Sequence, residues 1–184
     1  IITKSAPRDS STNWAQGGIA GILDKTDGVA LDAHINDTIA AGDGHCDEEI
    51  VRIVCMEAGD RIRDLLSIGV RFDTGFDGEF DLAREGGHSS SRILHAKDAT
   101  GAEIEGALMA AVKGSELISM YPDHLAVDLI LDDKDAERRD IVGLWCLDES
   151  EQMVTFAADA VLIATGGAGQ LYRQTTNPHV ACGD

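Results

Sequence analysis

The sequence predicts an α/β fold with a late antiparallel insertion, and three stretches carry that expectation. Residues 47–68 set Ile50, Ile53, Val54, Ala58, Ile62, Leu65 and Leu66 on one stripe at helical spacing. Ala160-Val161-Leu162-Ile163-Ala164 is a continuous apolar run, the pattern of a parallel strand covered on both faces. Between these, Leu125, Val127, Leu129 and Leu131 recur at every second position, the period of a half-buried strand, and two more strand-like segments follow. Strands interleaved with helices, then a run of adjacent strands, make an α/β pattern with a meander set into it.

Taken in order, Ile1 to Thr3 reads as the end of a buried strand with Lys4 at its tip, followed by a loop to Gly18. Residues 19–23 fit a short strand before a turn at 24–28, and Leu31, Ile35 and Ile39 mark a helix over 31–41 that ends near Gly42. In the long helix Asp47 is placed to cap, Glu48 and Glu49 fall where the helix dipole favours acids, and Gly69 supplies the stop. The whole apolar stripe of that helix is expected to pack in the core. Residues 70–72 read as a strand and 76–80 as a turn between apolar residues, a weak hairpin signal. Thr100 with Glu103 fits a capping box opening a helix through Ile104, Leu108 and Val112 to Gly114. Strands are expected over 124–132, 141–147 and 153–157.

Composition narrows the function classes. The hydrophobic fraction of 43% is that of a globular protein, and no apolar run approaches the roughly 18 residues of a membrane span. Thirty-three acids against 15 bases give a net charge of −18, which disfavours nucleic acid and anionic membranes as partners. An anionic ligand would need local cations, and Lys4, Arg84, Arg92 and Arg173 are the candidates. The excess of Asp over Glu fits a salt-adapted host and equally a plain solvated acidic face. Cys46, Cys55, Cys146 and Cys182 show no CxxC or metal-ligand spacing, so reduced thiols in a cytoplasmic protein are expected. The chain opens Ile-Ile-Thr and closes on Gly183-Asp184, and both ends read as cuts through a longer protein.

Two loops have the composition of a binding site. In Ser11-Thr12-Asn13-Trp14-Ala15-Gln16-Gly17-Gly18, hydroxyls, amides and paired glycines suit close approach to a phosphorylated cofactor, although such clusters also make ordinary turns. Arg84-Glu85-Gly86-Gly87-His88-Ser89 is a second glycine-rich loop. Glu85 there is either a solvated acid or a substrate contact, and His88 could in principle act as a general base. His88, His95 and Asp98 match no standard metal spacing, so no metal is expected.

Three ordered motifs resemble the succinate dehydrogenase/fumarate reductase flavoprotein superfamily over the whole chain. Ser-Thr-x-x-Ala-Gln-Gly-Gly at 11–18 resembles its flavin-contacting loop. Arg84 to Ser89 with Arg92-Ile93-Leu94-His95 resembles the L-aspartate oxidase branch, and Ala164-Thr165-Gly166-Gly167 with Thr175-Thr176-Asn177-Pro178 and Gly183-Asp184 fits the same family. The resemblance implies a Rossmann-like FAD-binding domain with an inserted antiparallel β-meander, residues 1–184 forming part of that single domain. No GxGxxG follows a first strand here, so the first βα unit is expected upstream of Ile1. The capping domain and its proton-handling arginine are expected downstream of Asp184, leaving the piece without turnover by itself.

It implies FAD near Lys4 on the adenosine side, Ser11 to Gly18 around the pyrophosphate and ring, and Ala164, Thr165, Gly166 and Asp184 as further contacts. Covalent relatives carry a histidine where Ser11 stands, so the flavin is expected to be noncovalent. Glu85, in a region where succinate-oxidising relatives place an uncharged residue, is expected to orient a substrate ammonium. Ala83 and Ser90-Ser91 depart from the family's usual Thr and His-Arg, removing one cation from the region. The implied activity is oxidation of a dicarboxylate, L-aspartate, to iminoaspartate with oxygen or fumarate as acceptor, opening de novo NAD biosynthesis with quinolinate synthase downstream. A soluble fumarate reductase or succinate dehydrogenase flavoprotein and a non-catalytic nucleotide-binding module are the alternatives.

Overall fold

A computed structural model describes residues 1–135 and 138–183, and these divide into two compact units. One unit is Thr12–Gly114. Its first strand, β1 (Ile19–Ala20), pairs antiparallel with β2 (Ile93–Leu94). Helix α1 (Gly28–Ala41) starts earlier than the Leu31 periodicity predicts, because Asp27 Oδ1 accepts from the Ala30 N–H at 2.9 Å and caps it. Helix α2 (Glu48–Ser67) matches its expected limits, and Asp47 Oδ1 accepts from the N–H groups of Glu49 and Ile50. Its stripe divides in two. Ile62 is fully buried with Leu65 and Leu66 beside it, whereas Ile50, Ile53 and Val54 are 55%, 46% and 61% exposed.

The core of this unit is Ile62, Val70, Phe72 and Leu94, against which Ile19, Leu23, Phe80 and Ile104 pack. Each such side chain contributes about 1.5–3 kcal/mol when fully removed from water. Val70 and Phe72 are buried with Arg71 exposed between them, but the segment is irregular rather than a strand, and the expected hairpin is a single antiparallel bridge from Thr74 to Phe80. Phe72 and Phe80 meet edge to face at 6.5 Å.

Helix α3 (Thr100–Lys113) ends at Gly114 as expected, but the capping box does not form. Thr100 Oγ1 accepts from the Ala96 N–H, and Glu103 Oε1 accepts from the Arg71 N–H. The reason is tertiary. The loop that starts the unit turns back through an Ala15 N–H to Thr12 O bond, and Ala15 O then takes the Gly101 N–H at 2.9 Å. One of the helix's orphan donors is thus satisfied by the loop.

The other unit is Ile1–Ser11 with Ser115–Asp184. Ile2 forms a parallel bridge to Tyr121, the expected strand end reduced to one residue. Strands β3 (Leu125–Asp135), β4 (Arg138–Leu147) and β5 (Met153–Ala157) form the antiparallel meander in sequential order. Register runs from Leu125 opposite Leu147 to Asp135 opposite Arg138, with irregularities that include one between Ala126 and Asp128. Of the alternating set, Leu129 is half-buried while Leu125, Val127 and Leu131 are 40–50% exposed. Residues 160–164 are extended without a paired strand, and Leu162 is 92% exposed. A parallel strand exists only where neighbours complete its ladder, and none does so among the described residues. A short 3₁₀ turn, Gly169–Leu171, follows.

Gly101 tests the packing of α3 on the loop. Alanine in a helix interior ordinarily stabilises by about 0.5–1 kcal/mol relative to glycine. At Gly101 a Cβ would stand 1.7 Å from Thr12 O, while at Gly106 nothing lies within 4 Å. Gly106→Ala should raise the urea midpoint and Gly101→Ala should lower it, by about 1–3 kcal/mol of overpacking. Equal shifts at the two positions would place the loop away from α3.

Candidate functional site

In the Thr12–Gly114 unit the two glycine-rich loops meet. Gly18 runs so close to β2 that a Cβ there would fall 2.2 Å from Leu94 O, so only glycine fits. Beside it, a Cβ on Gly17 would stand 3.3 Å from Glu85 Oε1. The carboxylate of the second loop therefore reaches the glycine pair of the first. Thr12, Trp14, Ala15, Gln16 and Gly17 are exposed and Asn13 half-buried, so this surface is open to a ligand.

The second loop leaves and re-enters the fold at one point. Ala83 O accepts from the N–H groups of Arg92 and Ile93, and the Ala83 N–H donates to Ile93 O. Between these ends the His88 N–H donates to Glu85 O at 3.2 Å, and Gly87 sits at φ +87. No atom lies within 4 Å of where a Cβ would stand on Gly86 or Gly87.

Under the loop lies a polar cluster built around one buried cation. Arg92 is 1% exposed, and its Nη2 donates to Asp37 Oδ2 at 2.6 Å, Ser89 Oγ at 3.0 Å and Ser90 Oγ at 3.2 Å. Asp37 Oδ2 also accepts from the Ser89 N–H and from Ser89 Oγ, both at 2.7 Å. The Ser89 N–H first, then its hydroxyl and the Arg92 guanidinium, hold the Asp37 carboxyl down at about 2. His34, one turn earlier on α1, stands edge-on to His88 with ring centroids 6.4 Å apart. Nδ1 of His34, Nδ1 of His88, and Nε and Nη1 of Arg92 are buried without a hydrogen-bond partner among the described residues. His95 faces Asp73 at 3.2 Å and Asp81 at 4.0 Å, away from any three-ligand cluster among the described residues.

The remaining expected contacts belong to the other unit. Lys4 is half-buried just past the Ile2–Tyr121 bridge, and Ser11 is exposed. Ala164, Thr165 and Gly166 are exposed in the extended segment, with Gly166 at φ +79. Gln170 Nε2 donates to the carbonyls of Asn177 and Pro178, which ties the Thr175–Pro178 motif to the 3₁₀ turn. Asp184 lies outside the described residues.

Sequence reasoning passed over His34 and Asp37, and took Arg92 as a local cation and part of a family motif rather than as a buried anchor. The available signal was His34, Asp37 and Thr38 at i, i+3 and i+4, a polar face on a helix otherwise read by its apolar residues. The residues present fit a flavin dinucleotide, because exposed small hydroxyls, an amide and uncovered glycine backbone surround the junction at Gly17.

His34 makes the site pH-sensitive. Burial first, then Arg92 and His88, push its pKa below the ordinary 6.5, with Asp37 opposing. The unfolded chain then binds the proton before the folded one does, so stability is full above about 6.5 and falls as pH drops below it. Urea midpoints between about pH 7.5 and 5.5 should decline less steeply in His34→Gln than in the parent. Parallel declines would show that His34 titrates at its ordinary value.

Comparison with known proteins places the chain in a family and a fold. The FAD binding domain family matches residues 1–184. An L-aspartate oxidase from Oryza sativa subsp. japonica is 46% identical over 185 residues, covering 100% of this chain and 28% of its own length. One from Yersinia pestis is 41% identical, with 100% and 36% covered. The chain thus spans about a third of the length of these relatives. Among solved structures, an E. coli quinol fumarate reductase superposes with a TM-score of 0.87 at 29% identity over 98% of this chain and 30% of that one. Mycobacterium smegmatis Sdh1 in complex with UQ1 gives 0.83 at 28% identity, over 98% and 31%. The fold is therefore the FAD-binding fold of the succinate dehydrogenase/fumarate reductase flavoproteins, FAD is the cofactor it takes, and the chain belongs to the FAD binding domain family.

Proposed function

We propose that residues 1–184 are part of the single FAD-binding domain of an L-aspartate oxidase that converts L-aspartate to iminoaspartate. The observation that supports this most directly is the Glu85 carboxylate against Gly17, which puts one negative charge where the flavin loop and the Arg84–Ser91 loop join. A bound flavin supplies the hydride acceptor for the bond broken at Cα. Glu85 pairs with the substrate ammonium and so orients Cα, an attraction worth a few kcal/mol at about 4 Å in a partly desolvated site. His88, on the same loop, is the candidate on this chain for holding a proton. Lys4, Ser11 to Gly18, Ala164 to Gly166 and Asp184 make the cofactor contacts. Relatives named L-aspartate oxidase at 41–47% identity favour this reading.

In this reading the enzyme is cytoplasmic, takes oxygen or fumarate as acceptor, and hands its product to quinolinate synthase in NAD biosynthesis. No helix among the described residues is long and apolar enough to cross a membrane. The second reading is a fumarate reductase or succinate dehydrogenase flavoprotein, favoured by the superposition on quinol fumarate reductase.

Glu85→Gln in the full-length protein separates the two, because it keeps shape and removes charge. L-aspartate oxidation should lose about 2–4 kcal/mol of transition-state stabilisation, while fumarate and succinate, lacking an ammonium, bind as well or better. An equal loss for both substrate classes would make Glu85 structural.

Ser11 carries a separate expectation. Without an imidazole at that position the flavin is held by hydrogen bonds alone, so acid precipitation of the full-length protein should release the yellow colour to the supernatant. Colour retained in the pellet would reveal a covalent link.

A further inference from the structure

We propose that Asp37 is a positioning residue: from α1 it sets the Arg84–Ser91 loop, and with it the placement of Glu85 toward the substrate amine. The inference rests on the reading of Glu85 given above.

The loop has few other holds. Its ends are joined through Ala83, Arg92 and Ile93, but Gly86 and Gly87 have open space around them and Glu85 is itself exposed. Past this tip, Ser89 is gripped twice by one oxygen, through its N–H and its hydroxyl, both at 2.7 Å from Asp37 Oδ2. The same oxygen takes Arg92 Nη2 at 2.6 Å, and that nitrogen reaches back to Ser89 and Ser90. Three donors converge on one carboxylate oxygen, so Asp37 joins the loop, its returning strand and α1 in a single charge-assisted junction. One turn up the helix, His34 meets the His88 ring. Helix α1 therefore touches the loop at two successive turns, on the stretch directly after Glu85. Displacing that stretch moves Glu85 relative to Gly17, and shifts His88 with it, while leaving both side chains chemically unchanged.

The test uses full-length, FAD-loaded protein and the variants Asp37→Asn, Glu85→Gln and the double variant. Asp37→Asn keeps the shape but removes the charge that gathers three donors. It should lower kcat/KM for L-aspartate about 10- to 100-fold, chiefly through KM, as expected of a misplaced orienting group. In the Glu85→Gln background the same change should add less than about twofold, since a residue that works through Glu85 has nothing left to act on.

Two readouts stand apart from turnover. Amide exchange in the peptide containing 84–91 should quicken in Asp37→Asn while peptides of α2 stay unchanged, and the FAD dissociation constant from flavin fluorescence should stay within about twofold. If Asp37→Asn fails to fold, Ser89→Ala keeps the buried ion pair and should give the same pattern at smaller amplitude. Full additivity of the two changes, or unchanged exchange at 84–91, overturns the positioning role while leaving Glu85's own role intact. A Glu85→Gln enzyme with unaltered aspartate selectivity overturns both, and is recognised by that variant alone.

Discussion

The course of the Arg84–Ser91 loop in the Thr12–Gly114 unit depends on one buried guanidinium. Arg92 is 1% exposed, and a charge so far from water persists only where a counter-charge and acceptors surround it. Asp37 supplies the first, and Ser89 and Ser90 the second. Because these partners come from a helix and from the loop that Arg92 itself terminates, satisfying the charge also dictates the course of that loop.

Close backbone approach does the same for the first loop. It lies against β2 at Gly18 and against α3 at Gly101, places where a single added methyl would strike a carbonyl oxygen. Ala15 O in turn satisfies a donor of α3 that a side-chain cap would otherwise take. The 12–18 loop and the helix are thereby one assembly, which explains why Thr100 and Glu103 are free to bond elsewhere. Glu85 then reaches Gly17 because both loops are anchored to neighbouring parts of the same small core.

The departures from family pattern read differently once this cluster is seen. Ser90 and Ser91 are uncharged where the family resemblance leads one to expect His-Arg. Ser90 nevertheless serves as an acceptor for Arg92, so the substitution sits comfortably with the buried cation. The cation that matters to the loop's course is Arg92, which is retained.

The sequence by itself determined the helices, the meander and the chemistry of the two loops. Helical periodicity, Asp47 and the glycine stops are local signals, and α2 and α3 end where those signals lie. Glu85 and the 11–18 loop were legible because their residue types are unusual in combination. Local pattern could not say which apolar faces find partners. The run at 160–164 has the composition of a buried strand but pairs with no strand among the described residues, and the first half of the α2 stripe is exposed beside a second half that forms the core. Nor could it pair Asp37 with Arg92 across 55 residues, or replace the capping box at Thr100 by a carbonyl from Ala15. Only the tertiary structure decided these, because burial and hydrogen-bond satisfaction belong to pairs of segments, and a segment's own residues specify one half of each pair.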